Sequence, residues 1–138
     1  MTAKEYLDQL RMLELKAKHE TDFVNELREK AYGLKAVNYS KDNVQSGRSG
    51  AKEDLIIKIV DMEREGNLHL ERYLNYKRQI IDRIHMLNNQ QYADILYKRH
   101  VEYKSFGEIA EEMNFCDVWV QKLYKRALIS FGQLLNRL

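Results

Sequence analysis

Not one of the chain's 138 residues is proline, and only six are glycine. Proline removes a backbone donor and its ring clashes with the preceding helical turn, so it is the strongest local stop to a helix. A chain without it can run long helices until some other signal ends them. The expectation is therefore an all-α fold, and hydrophobic spacing has to say how many helices there are and how they divide.

The first segment, from about Thr2 to Leu34, reads as one helix. Thr2 and Glu5 form a capping box in which hydroxyl and carboxylate each satisfy a free backbone N–H. Tyr6, Leu10, Leu13, Ala17, Val24, Leu27, Ala31 and Leu34 recur at steps of four and three, with Glu20 as the polar intruder. That spacing keeps one apolar seam along a coiled-coil helix. By this reading a leucine at Glu20 gains stability. The pattern stops at about 35–50, where Asn38-Tyr39-Ser40 and Ser46-Gly47-Arg48-Ser49-Gly50 have turn composition. It resumes at Leu55, Ile59, Met62, Tyr73, Tyr76, Ile80, Ile84 and Leu87, with Gly66 and His69 on the seam between. A mid-helix glycine costs about 1 kcal/mol relative to alanine, so a bend near Gly66 competes with an unbroken helix, which is preferred. Two long amphipathic helices joined by a loop bury each other's seams most simply as an antiparallel hairpin. The expected domains are this coiled-coil arm over 1–87 and a shorter module over 88–138.

The module contains three shorter helices, Gln91–His100, Ser105–Met113 and Asp117–Leu135. Ser105 and Glu108 form a second capping box. Ala110 is small where two helices would cross. Asn114 stands where a left-handed residue is needed, a conformation asparagine tolerates. Val120, Leu123, Ala127, Leu128 and Phe131 line the inward side of the last helix. A short helix, a three-residue turn and a longer helix with this spacing is the helix-turn-helix arrangement. Three core helices with no role on DNA are the competing reading.

Net charge is only +2, so the total does not point to nucleic acid. Distribution does. From Asp117 to the end, four bases (Lys122, Lys125, Arg126 and Arg137) face the single acid Asp117. The helix before it carries Glu108, Glu111 and Glu112 instead. Gln121 and Lys122, facing away from the Val120–Leu123 wedge, are the candidates for base edges. Lys125 and Arg126, one turn later, are candidates for phosphates. Lys104 and Ser105 precede a helix whose free N–H groups could share a phosphate with them. Trp119 either meets a thymine methyl or the sugar-phosphate wall, or packs against the arm, and Val118 beside it is a further DNA-binding candidate.

The lone Cys116 cannot form an internal disulfide. His19, His69, His85 and His100 lack metal-ligand spacing. No combination of residues suggests catalysis, and no metal or cofactor is expected. The opening Met1-Thr2-Ala3-Lys4-Glu5 has no apolar signal core, and no apolar run approaches the roughly 18–20 residues that span a bilayer. A soluble, cytoplasmic protein without membrane contact is the expectation.

From Tyr92 to Leu135 the chain resembles region 4 of bacterial sigma factors, in Ile95-Leu96-Tyr97-Lys98-Arg99-His100, Ser105-Phe106-Gly107-Glu108-Ile109-Ala110 and Lys125-Arg126-Ala127-Leu128. Over nearly its full length, including Lys4-Glu5-Tyr6-Leu7 and Ile59-Val60-Asp61-Met62-Glu63, it is similar to a family encoded by prophages of Gram-positive bacteria. Regulators of late phage genes, of the ArpU and RinA type, share the module. The resemblance implies a phage transcriptional regulator that acts on double-stranded DNA in a bacterial host cell. Family members usually carry serine or threonine where Cys116 stands. Asp117, Val118 and Trp119 replace the Arg-Glu-Arg of primary sigma factors. Arginine reads guanine and glutamate reads cytosine, so a sequence other than the ordinary −35 hexamer is expected. The alternatives are an adaptor or inhibitor bound to host RNA polymerase, and a structural or packaging accessory. A homodimer, joined through the arm, and a monomer both remain open.

Overall fold

A computed structural model describes residues 1–37 and 47–138, with side chains over 1–32 and 52–138. The described residues contain five helices and no strand: α1 (Ala3–Val37), α2 (Gly47–His85), α3 (Gln90–His100), α4 (Phe106–Met113) and α5 (Asp117–Arg137). The all-helical expectation is met, and no helix among the described residues is long and apolar enough to cross a membrane. Both long helices run into the segment expected to be a loop. Gly47 to Gly50 form the first turn of α2, where backbone N–H groups have no intrahelical partner in any case. The rest of that segment, residues 38–46, lies outside the described residues. Gly66 does not break α2.

The caps follow the local rules that predict them. Thr2 Oγ1 accepts from the Glu5 N–H at 3.2 Å, and Glu5 Oε2 accepts from the Thr2 N–H at 3.1 Å. Asn89 caps α3 by accepting from the N–H groups of Gln91 and Tyr92. Ser105 accepts from Glu108 N–H at 3.2 Å and starts α4. Asn114 ends α4 at φ 58°, ψ 41°, the left-handed conformation its position requires. Tyr103 is also left-handed, at φ 58°.

The chain forms two compact units, one of residues 14–72 and one of residues 1–13 with 73–138. This grouping differs from the expected division at 87/88. The reason lies in what covers the C-terminal helices.

In the 14–72 unit, α1 and α2 pair through Ala17 and Val24 on one side and Ile59 on the other, all buried. Glu20 meets His69, and Arg28 meets Glu63. Partner numbers rise on one helix as they fall on the other, which is the antiparallel sense a hairpin needs. The seam's polar intruder is therefore matched rather than stranded: Glu20 Oε2 lies 2.5 Å from His69 Nδ1. With that partner present, leucine at this position is expected to cost stability rather than add it, because the substitution would remove the partner of a half-buried imidazole.

In the other unit one core joins the first turns of α1, the end of α2 and all three short helices. Leu7, Leu10, Ile80, Ile84, Ile95, Leu96, Ile109, Val120 and Phe131 are each almost wholly buried. Fully burying one such side chain contributes about 1.5–3 kcal/mol. Polar groups at the edge are satisfied across the helices. Tyr76 Oη donates to the Tyr6 carbonyl at 2.7 Å, and Arg83 donates to Tyr6 Oη at 2.8 Å. Burial pushes the Tyr76 phenol up to about 12, with the neighbouring Tyr6 adding to the rise. Near the end of α5, Gly132 faces Ala3 of α1. The inward side of α5 is thus longer than α3 and α4 can cover, and α1 and α2 complete it.

Candidate nucleic-acid interface

Helix α5 divides cleanly around its axis. Val120, Leu123, Tyr124, Ala127 and Phe131 are buried. On the opposite arc stand Val118, Gln121, Lys122, Lys125 and Ile129, at i, i+3, i+4, i+7 and i+11, all exposed. This spacing follows the 3.6-residue turn, so a single surface could meet all of them together. Val118 and Ile129 are 64% and 63% exposed. Among the described residues, Lys122 and Lys125 have no acidic partner within ion-pair distance. The turn before the arc is closed by Asn114, whose N–H bonds back to α4, and by Phe115 N–H donating to the Ala110 carbonyl at 3.0 Å. Cys116 stands at the N-cap of α5, and its side chain makes no capping bond. Among the described residues, the Asp117 side chain makes no hydrogen bond that would cap the helix instead.

The other expected residues fall elsewhere. The Trp119 ring is half-buried, edge-on to Phe115 at 6.4 Å between centroids, with the Arg126 guanidinium 5.3 Å from its own centroid. It packs within the turn, against Phe115 and Arg126. Arg126 is exposed, but its charge is drawn over that ring and away from Lys125. The Ser105 hydroxyl is committed to its cap and donates to Glu108 Oε1. Lys104 is held by Glu112 at 2.5 Å and Glu102 at 3.0 Å. These two hydrogen-bonded carboxylates raise its pKa, and Lys104 in turn lowers that of Glu112. Sequence reasoning brings eight residues to one interface. The structure brings Val118, Gln121, Lys122 and Lys125 together, sets Trp119 and Arg126 beside them, and places Lys104 and Ser105 among carboxylates at the start of α4.

Beside Gln121 and Lys125 opens a cleft of about 350 Å³, bounded also by Lys4 and Asp8 of α1 and by Arg99 and Phe106. Its floor is a buried polar pair. His100, 6% exposed, has Nε2 2.7 Å from Tyr124 Oη, and the rings stack at 5.7 Å. Burial lowers the His100 pKa to about 4; Asp8, 3.6 Å from Nδ1, opposes the shift, while Arg99 and Lys4 reinforce it. The imidazole is neutral at physiological pH. Burial also raises the Tyr124 phenol. Phe106 packs edge-on to Tyr124 and carries the Arg99 guanidinium 4.3 Å above its ring centroid.

No family model, curated protein or solved structure matches the chain.

The cleft's residues were not legible as a group. Lys4 lies in the first turn of the chain and Arg99 in a helix chosen for its core spacing, so no local pattern links them to Gln121. Leu7 was missed as a core residue because it sits beside the expected seam, and α1 is covered there on a second side. The one available signal for His100 was its place immediately before the turn into α4, on the apolar face of α3.

Proposed function

We infer that the protein is a sequence-specific DNA-binding regulator that presents α5 to the major groove. The observation that supports this best is the outward arc of α5. Gln121 offers paired donor and acceptor atoms for a base edge, and Lys122 and Lys125 offer charges that no carboxylate among the described residues neutralises. The arc follows a short capped helix and a left-handed Asn114, the geometry a helix-turn-helix uses to angle its second helix. The resemblance to sigma region 4 and to prophage regulators points the same way, to control of transcription in the cytoplasm of a bacterial host. Val118 takes the apolar role in the arc, suited to a thymine methyl. Arg126 and Trp119 flank it.

The test is selection of bound fragments from random duplex DNA, followed by affinity measurements on selected and scrambled sequences. Gln121→Ala and Lys122→Ala should each cost about 1–3 kcal/mol on the selected site and relax choice at one base pair. Lys125→Ala should weaken all sequences alike and lower the salt slope by about one. Four variants, with Arg126→Ala as the fourth, that bind both DNAs like the parent would remove α5 as the reader.

The second reading, an adaptor or inhibitor of RNA polymerase, draws on Val118 and Ile129. Two apolar side chains more than 60% exposed on one arc suit a protein partner as well as a groove. Copurification with polymerase that survives nuclease treatment and is lost in Val118→Asp would favour it.

A further inference from the structure

The cleft beside α5 has a charge balance that its role in the fold does not call for. Three cations line it, Lys4, Arg99 and Lys125, against the single carboxylate of Asp8. They come from three separate helices. Arg99 is partly occupied, donating to the Lys104 carbonyl at 3.0 Å and lying over Phe106. Among the described residues, Lys4 and Lys125 have no acidic partner at ion-pair distance, although Asp8 is one turn from Lys4 on the same helix. Three cations held together with one carboxylate leave an excess of positive charge, and an anion between them relieves the remaining repulsion. His100, the remaining polar group of the floor, is already bonded to Tyr124 and leaves the cleft to the three cations.

Placement decides which anion. Gln121 and Lys125 belong both to the cleft and to the outward arc of α5, so an anion seated there lies against the edge of that arc. A helix in the major groove has a phosphate backbone along each edge. We propose that the cleft binds a phosphodiester of the DNA backbone, so that Lys4, in the first turn of α1, is a DNA contact together with Arg99 and Lys125. This rests on the reading of α5 as the DNA-facing helix, and it adds a contact from the opposite end of the chain. The first turns of α1 thereby serve two purposes: Leu7 and Leu10 complete the core, and Lys4 extends the phosphate-binding surface.

The decisive experiment measures binding of the full-length protein to a 30-base-pair duplex centred on the sequence selected from random DNA, across a salt series. Lys4→Gln and Lys4→Glu are compared with Lys58→Gln, which removes an exposed lysine of the 14–72 unit. Lys4 is exposed and outside the core, and unchanged helicity and melting temperature verify folding. Each phosphate contact contributes about 0.9 to the slope of log K against log salt. Lys4→Gln should reduce the slope by about 0.9, which makes it weaker than the parent by about tenfold at 50 mM salt and about threefold at 200 mM. Lys4→Glu should do more, and Lys58→Gln should leave the slope unchanged. In a duplex carrying one uncharged methylphosphonate linkage, stepped along the site, one position should cost the parent more affinity than it costs Lys4→Gln, because Arg99 and Lys125 still face that phosphate in the variant.

A parental slope in Lys4→Gln, with binding still lost in Gln121→Ala and Lys122→Ala, overturns this proposal and leaves α5 as the reader. Equal losses in Lys4→Gln and Lys58→Gln overturn it too, as a general charge effect. Saturable binding of inorganic phosphate that Lys4→Gln abolishes, with the duplex slope unaltered, makes the cleft a site for a free anion instead. A parent that binds no duplex at any salt concentration overturns both this proposal and the reading of α5.

Discussion

His100 makes the stability of the helical core depend on pH in a calculable way. Its ring is 6% exposed and bonded to Tyr124, and its pKa in the folded protein is about 4 against an ordinary value of 6.5. A depressed value means that the unfolded chain takes up the proton first as pH falls. The contribution of the neutral ring is complete above pH 6.5, declines between 6.5 and 4, and is lost below. Each pH unit in that window is worth about 1.4 kcal/mol for one group, so the full effect is roughly 3 kcal/mol. Between pH 7.5 and pH 5 the share is about 2 kcal/mol. Replacing the ring with phenylalanine keeps an aromatic face for Tyr124 to stack on and removes the titration. His100→Phe should be less stable than the parent at pH 7.5 by about 1 kcal/mol, because Tyr124 loses its partner. The informative quantity is the difference between the two pH profiles. Urea unfolding followed by far-ultraviolet circular dichroism at pH 7.5, 6 and 5 gives it directly. The parent should lose about 2 kcal/mol more than His100→Phe across that range. Parallel profiles would mean that His100 takes up its proton in the folded state as readily as in the unfolded chain, and the reasoning from burial would fail.

Three further predictions concern stability. Cys116→Ser should supply the capping bond that α5 lacks and raise stability by about 0.5–1 kcal/mol, read as a shift in the urea midpoint at constant slope. Gly66→Ala should also stabilise, by about 1 kcal/mol, since a Cβ at that position meets nothing within 4 Å and the helix loses its most flexible residue; a lower melting temperature would show that the space is required. Glu20→Leu should lower stability despite its added apolar surface, whereas the double variant with His69→Leu should recover the loss, a coupling measurable in a double-mutant cycle.

How the molecule is organised could be read to different depths at different places. Helix type, caps and the turn at Asn114 follow from residues no more than four positions apart. Thr2 with Glu5, Ser105 with Glu108, and the absence of proline act through backbone groups in the same turn, so the sequence contains the whole interaction. The periodic seams are legible for the same reason: a helix repeats every 3.6 residues wherever it lies.

Contacts between helices are another matter. Glu20 looked like a flaw in one seam and His69 like a flaw in another, and only pairing across 49 positions makes each the other's partner. Arg83 reaches Tyr6 across 77 positions, and His100 reaches Tyr124 across 24. Leu7 lies beside its helix's seam, and it is buried because a second set of helices covers that side. Gln121 and Lys122 on the outward arc of α5 could be chosen by spacing alone, since facing away from a wedge is a property of one helix. The commitment of Lys104 to two carboxylates, the folding of Arg126 over Trp119 and the joining of Lys4 and Arg99 to Gln121 could not. Each depends on which surfaces meet when separate helices pack, and side-chain spacing along one helix carries no information about its neighbour's register. Local backbone chemistry thus set the elements, and tertiary packing decided which charges among the described residues are paired with one another and which are not.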